Sequence, residues 1–180
     1  MRRLARNVTL ALALGACTAQ FAPSSIGLRQ EPADGGGFRY LHRDARIGFV
    51  LPVMGTEGER EEDDAGFERV VMSARANDVL YRVLVIRPID GTNVPPADAI
   101  TRLADGLIAG QTPTRDESTM VGTHAARRIT LPRATSSGGV DAMLITADDR
   151  ALVMAEVVAG ENADAVADPF FATLELGCDR

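Results

Sequence analysis

The chain has 180 residues, 46% of them hydrophobic but only 4% aromatic, with 19 basic against 25 acidic side chains and a formal charge of −6. That is the size of one domain with a substantial core, and the acidic balance disfavours a general binder of nucleic acid or anionic lipid. Every basic residue is arginine and lysine is absent, which excludes Schiff-base lysine chemistry and a lysine-bearing phosphate loop.

Residues 1–17, MRRLARNVTLALALGAC, place Arg2, Arg3 and Arg6 before an apolar run from Val8 to Leu14, and Gly15-Ala16 before Cys17. A membrane-spanning helix needs about 20 apolar residues, and this run reaches roughly half of that. A basic n-region, short apolar stretch and small-residue site instead read as a cleaved signal. Leu14-Gly15-Ala16-Cys17 resembles the lipobox of bacterial lipoproteins. The resemblance implies cleavage before Cys17, a diacylglycerol on its sulfur and, in many bacteria, a third acyl chain on its amine. One acyl chain binds a membrane only marginally, whereas two or three make attachment effectively permanent. Thr18 stands where aspartate favours inner-membrane retention in enteric bacteria, so the outer membrane is favoured. Arg2-Arg3 lacks the residues that follow in a twin-arginine signal. The alternative is an ordinary secretory signal cleaved near Ala16 or Ala19.

Without residues 1–16 the balance is 16 basic against 25 acidic side chains. A lipidated Cys17 leaves Cys178 as a free thiol or an intermolecular partner in an oxidising compartment. A Cys17–Cys178 disulfide stays open if lipidation fails. Glu175 and Asp179 flank Cys178 and discourage its thiolate.

Residues 17–37 contain Pro23, Ser24, Ser25, Pro32 and three consecutive glycines, 35–37, and read as a flexible tether. A single α+β domain is expected over 38–180. Short strands are predicted at 38–44 and 47–51, followed by an acidic loop. Residues 67–74 and 79–87 form a hairpin turning at Asn77-Asp78. Its second strand is apolar on both alternating faces, as in a sheet covered on both sides. Pro95-Pro96 opens a helix at about 96–109, where Ile100, Leu103, Ala104, Leu107 and Ile108 share one face and Gly110 ends it. Strands follow near 117–121, 124–131 and 140–146, and Asp148-Asp149 turns into a strand over 150–159. A C-terminal helix is predicted at about 163–174. Pro169 complicates it, and two readings fit: a kinked helix, or, as favoured, a short first turn with Asp168 capping a second helix that begins at Pro169. The fold class is therefore α+β, a mostly antiparallel sheet flanked by an amphipathic helix and a C-terminal helix. No repeat of fixed period is present.

Gly48-Phe49-Val50-Leu51-Pro52, the hairpin, the helix, the Gly122-Thr123-His124-Ala125 turn and Phe170-Phe171-Ala172-Thr173-Leu174 together resemble the PsbP-like α/β/α sandwich group. That group includes the lumenal accessory protein of photosystem II and the bacterial DcrB-like lipoproteins. The likeness spans roughly residues 38–176, with Thr173 where serine is usual and Leu174 where phenylalanine is usual. It implies an antiparallel sheet flanked by helices and a binding or assembly role without catalysis.

The motifs of serine hydrolases, zincins, dinucleotide folds and EF-hands are missing. His42 and His124 are the only histidines, too few for a histidine-rich metal site. No motif positions His124 with Ser118, Ser136 or Ser137 as base and nucleophile. Glu57, Glu59, Glu61, Glu62, Asp63 and Asp64 form an acidic run without the alternation and glycine of a calcium loop, and read as a solvated loop. Arg127 and Arg128 are adjacent on a strand and point to opposite faces. The expectation is a lipid-anchored envelope lipoprotein, a non-enzymatic protein-binding or assembly module. It carries no cofactor, metal or catalytic residue, reaches the membrane through Cys17 and takes an envelope protein as partner. A small envelope enzyme with a site built from scattered residues is the competing class.

Overall fold

The computed structural model describes residues 28–57, 61–62, 66–89, 98–132, 140–160 and 163–177. Cys17 with the signal, Cys178, Ser136 and Ser137 lie outside them. The elements in chain order are β1 (Leu28–Pro32), β2 (Phe38–His42), β3 (Ile47–Leu51), β4 (Thr56–Glu57), β5 (Glu61–Glu62), β6 (Phe67–Ala76) and β7 (Val79–Pro88). Then come α1 (Ala99–Ile108), β8 (Arg115–Val121), β9 (His124–Pro132), β10 (Val140–Ala147), β11 (Leu152–Ala159), α2 (Ala163–Phe171) and β12 (Glu175–Leu176).

The strands form two antiparallel sheets. The larger has the order β4-β6-β7-β11-β10-β9-β8, with β5 also on β6, and the smaller is β1-β2-β3-β12. Alternation along each strand gives the large sheet two apolar faces. Val70, Met72, Val83, Leu144, Val153 and Ala155 join the small sheet and α2 in one core, while Ile129, Leu131, Met143, Ile145 and Met154 meet α1 in the other. The α+β, mostly antiparallel class expected from the sequence is the one observed. Strand β7 sits between β6 and β11, sending Val83 and Val85 to one core and Leu84 and Ile86 to the other.

Turn chemistry fixes the ladders. Asn77 and Asp78 both have positive φ, at 48° and 64°, the backbone of a type I′ turn whose twist matches its strands. The Asp148 carboxylate accepts from the Arg150 and Ala151 amides at 2.8 and 2.9 Å, closing the β10–β11 turn as an Asx turn does. Helix α1 buries the face its periodicity gives: Ala104 is fully covered, with Ile100, Leu103, Leu107 and Ile108 packed around it.

Four expectations need correction. Leu28–Pro32, assigned to the tether, pairs with β2 from Leu28↔His42 to Pro32↔Phe38, so order begins ahead of Phe38. The triple glycine is its turn rather than a spacer: Gly36 and Gly37 adopt φ of 91° and 84°, which side-chain-bearing residues rarely reach. Residues 56–57 and 61–62 are not all loop, because their backbones pair with β6. Helix α2 is one helix that contains Pro169 and ends at Phe171. Pro169 stands near its C-terminal end, so the missing N–H costs one bond, and Asp168 bonds Arg128 instead of capping a new helix. Residues 175–176, beyond that helix, form β12 on β3.

At Gly37 an added Cβ would lie 2.3 Å from the Leu51 carbonyl oxygen, whereas at Gly35 nothing stands within 4 Å. Gly37→Ala should therefore destabilise the fold by about 1–3 kcal/mol. Gly35→Ala should stay within about 0.5 kcal/mol. Urea midpoints of the two variants compare them directly.

Candidate functional site

Strand β9 organises the polar chemistry. Its alternation turns Arg127, Ile129 and Leu131 towards α1 and Arg128 and Thr130 towards α2, as the adjacency of the two arginines requires. Arg127 makes a two-pronged contact with Asp116 of β8 at 2.8 and 2.9 Å and reaches Asp105 of α1 at 3.0 Å. The hydrogen bonds from Arg127 hold the Asp116 carboxyl below its ordinary range.

On the other face Arg128 is buried, its side chain only 6% exposed. One terminal nitrogen donates to Asp164 at 2.8 Å and to Asp168 at 3.0 Å, two carboxylates that helical i, i+4 spacing sets on one face of α2. The guanidinium also lies 4.2 Å above the centre of the Phe171 ring, a cation–π contact. Burial alone would raise the Asp164 pKa, but hydrogen bonds from Arg128 and Thr130 and the charges of Arg128 and Arg115 outweigh it, so the carboxyl stays low. Arg115 of β8 bonds Glu117 at 2.9 and 2.5 Å and stands 3.7 Å from Asp164.

Beside this network, between α2 and the β8–β9 hairpin, opens a cleft of about 280 Å³. Most of its accessible lining is polar, with Arg115, Glu117 and Asp168 standing beside Arg128, over the largely buried Val121, Leu144, Phe171 and Leu174. Small-molecule pockets run from about 300 Å³ upwards, so this volume suits one or two inserted side chains.

Neither histidine lines the cleft. His42 is buried between the sheets near a second polar group. Its Nδ1 accepts the Ala45 amide at 3.2 Å, while buried Glu68 pairs with Arg87, which also reaches Asp44 at 3.3 Å. Burial first, then the Arg87 charge, lowers the His42 pKa, against weaker opposition from Glu68 and Asp44. His124 opens β9 opposite Val121, whereas Ser118 pairs with Arg127. The alternation sends His124 and Ser118 to opposite faces of the sheet, so they cannot act as base and nucleophile together. Among the described residues no group of three or more histidine, cysteine, aspartate or glutamate side chains is placed to hold a metal ion.

The cleft was not evident from the sequence, apart from one hint: Asp164 and Asp168 share a helical face, and β9 offers Arg128. What brings them together is the packing of α2 on β10 and β11, which no local pattern records.

With the fold and cleft defined, comparison with known proteins is informative about architecture. No family description matches the sequence, and no curated protein matches it either. Solved structures do. The cyanobacterial PsbP (CyanoP) of Synechocystis aligns with a TM-score of 0.53 at 13% identity, over 91% of this chain and 98% of its own. A protein of Bacteroides thetaiotaomicron aligns with a TM-score of 0.51 at 15% identity, over 78% of this chain and 48% of its own. The chain thus spans about half of the Bacteroides protein and nearly all of CyanoP. The likeness is one of fold, and the fold is PsbP-like, as the resemblance implied.

Two measurements test the polar network. Arg128→Ala should cost about 2 kcal/mol through the lost packing on Phe171, an Asp168 left without its arginine and an Asp164 left with only Thr130 and Arg115, with Arg128→Lys intermediate; the aspartates are half-exposed, so the loss stays below the 3–5 kcal/mol of a fully buried pair. For His42, the unfolded chain takes up a proton near pH 6.5 that the fold refuses until lower pH. Stability should therefore fall as pH drops through about 6.5. In His42→Gln that part of the slope should vanish, as urea midpoints at pH 7.5 and 5.5 would show.

Proposed function

We propose that this protein is a lipid-anchored envelope lipoprotein whose PsbP-like part binds a protein partner or assists an envelope assembly without catalysis. The observation that carries the anchor is the Leu14-Gly15-Ala16-Cys17 sequence behind a basic and then apolar stretch. Permanent attachment follows from the acyl chains such a cysteine receives. The chain is held on the outer side of a membrane by lipid on Cys17, with the outer membrane favoured by Thr18.

Support for a binding role comes from the state of the ionisable groups. Arg115, Arg127 and Arg128 are each engaged by carboxylates, and His42 is covered, with burial lowering its pKa. A general base needs access and a proton acceptor near the reacting group. The accessible concavity offers instead a mostly polar, charged lining over a small apolar base, a surface that a side chain of complementary charge can meet. CyanoP is a cyanobacterial PsbP, and the shared fold agrees with the binding or assembly role that the resemblance implies.

The experiment is Cys17→Ser in the native host. The wild-type chain should fractionate with membranes and carry the mass of its acyl chains; the variant should leave the membrane fraction and keep its fold. Unmodified Cys17 in the mature wild-type protein would refute the anchor. An intact mass two hydrogens light, with no lipid, would identify the Cys17–Cys178 bridge instead. Crosslinking in whole cells followed by purification of the tethered chain then identifies the partner.

A further inference from the structure

We propose that β8 and the cleft beside it form one recognition site for an extended peptide segment with a basic side chain, taken up by strand addition. This rests on reading the chain as a binding module, and it names which surface binds and what it accepts.

The two ends of the large sheet differ. At one end the outer side of β6 is covered by the short strands β4 and β5. The other end is β8, seven residues long, which pairs with β9 from Arg115↔Thr130 to Val121↔His124 and has no strand on its far side among the described residues. The β8–β9 turn is the two-residue Gly122-Thr123, with Gly122 at φ 58°. Such a turn is closed by a hydrogen-bonded pair, here Val121 and His124. Antiparallel alternation then directs the N–H and C=O groups of Val121, Thr119 and Glu117 at β9 and those of Met120, Ser118 and Asp116 outwards. An edge of this length is a template for another chain. No proline lies in β8, and its C-terminal half, Ser118 to Val121, is uncharged, with Met120 58% exposed.

Strand addition supplies main-chain bonds, while alternate side chains of the added strand supply specificity. Those on the α2 side fall over Glu117, Thr119 and Val121, which line the cleft. The charges there decide what enters. Asp168 and Glu117 are the most accessible, at 64% and 48% exposed, while Arg115 is 37% exposed and already bonded to Glu117, and Arg128 is buried. With Asp164, three carboxylates face two guanidinium groups. The rim is therefore complementary to a cation, and a long basic side chain can lay its stem against Phe171 and Leu174 with its head at Glu117 and Asp168. A second copy of this chain fits less well: antiparallel self-pairing about Ser118, the register that aligns all of β8, unites no opposite charges, and the register about Asp116, which sets Arg115 opposite Glu117, brings the two Asp116 carboxylates together and leaves Met120 and Val121 unpaired.

The test uses the full chain purified in detergent and a capped, fluorescent peptide of alternating threonine and valine, about as long as β8, with one central arginine. Saturable binding is expected, weakened at least about tenfold when the centre is glutamate, and abolished when alternate backbone amides are N-methylated. Ser118→Pro removes an outward N–H without touching the β9 ladder and should abolish binding at unchanged circular dichroism and thermal midpoint. Asp168→Asn should weaken the arginine peptide and leave the glutamate peptide unchanged. The proposal is overturned if the peptides bind alike, if N-methylation has no effect, if no peptide binds, or if sedimentation shows a dimer that Ser118→Pro dissociates. Cellular crosslinks that map to another face while the peptides fail would reject this site and leave the binding module standing.

Discussion

Two consecutive arginines on one strand tie the three layers together. Because side chains alternate across a sheet, Arg127 and Arg128 cannot share a face, and each is met by aspartate from a different helix. The Arg128 contact is the more demanding. A guanidinium removed from water without countercharge costs several kcal/mol, so α2 has to present Asp164 and Asp168 towards β9 for the sheet to close over that side chain. The stacked Phe171 ring then fixes the height of the helix above the sheet. A slip of one residue in the β9 register would exchange the two arginines and place Ile129 against the aspartates. The pair therefore specifies register as well as adding stability.

The cleft is a consequence of that docking. Helix α2 lies over β10 and β11 and meets β9 at Arg128 and Thr130 through Asp164, Asp168 and Phe171, and the end of the hairpin beyond Arg128 borders the cleft. Apolar residues that would otherwise sit under a helix, Val121 and Leu144 among them, line a concavity instead. The same ion pairs that hold the layers occupy the arginines. They leave Glu117 and Asp168 as the rim groups most open to solvent, in keeping with a surface for recognition.

Much of this architecture can be read from local pattern, and the failures have physical causes. The α1 stripe, the Asn77-Asp78 hairpin and the two-faced apolar β7 are local signals, and the structure follows them. The opposite facing of Arg127 and Arg128 is likewise a property of any strand. By contrast β1, with sequence LRQEP, has no alternating apolar pattern; its strand state comes from β2, and the glycines that resemble a spacer supply the positive φ of its turn. Strand β12 is two residues long and exists through β3. The Pro169 helix stays continuous because tertiary contacts at Asp168 and Phe170 outweigh one missing hydrogen bond. The cleft joins residues between 115 and 122, 128, 144 and residues between 168 and 174, and separations of that size have no signature in a single sequence. Leu14-Gly15-Ala16-Cys17, which resembles a lipobox, is the reverse case, legible as a motif and lying outside the described residues.

The lipid anchor proposed above and the open edge at one end of the large sheet belong to the same physical problem. A lipid anchor confines a protein to a surface and raises its local concentration, which favours edge-to-edge association of any exposed strand. Charged residues are the usual defence, and Arg115, Asp116 and Glu117 occupy the first half of β8. These three are internally compensated, Arg115 by Glu117 and Asp116 by Arg127, so they discourage self-pairing without repelling a partner of suitable charge. The defence stops at Ser118. An edge guarded over half its length and left uncharged beside a cleft that exposes Glu117 and Asp168 discriminates between chains rather than excluding all of them, as the binding module proposed above requires.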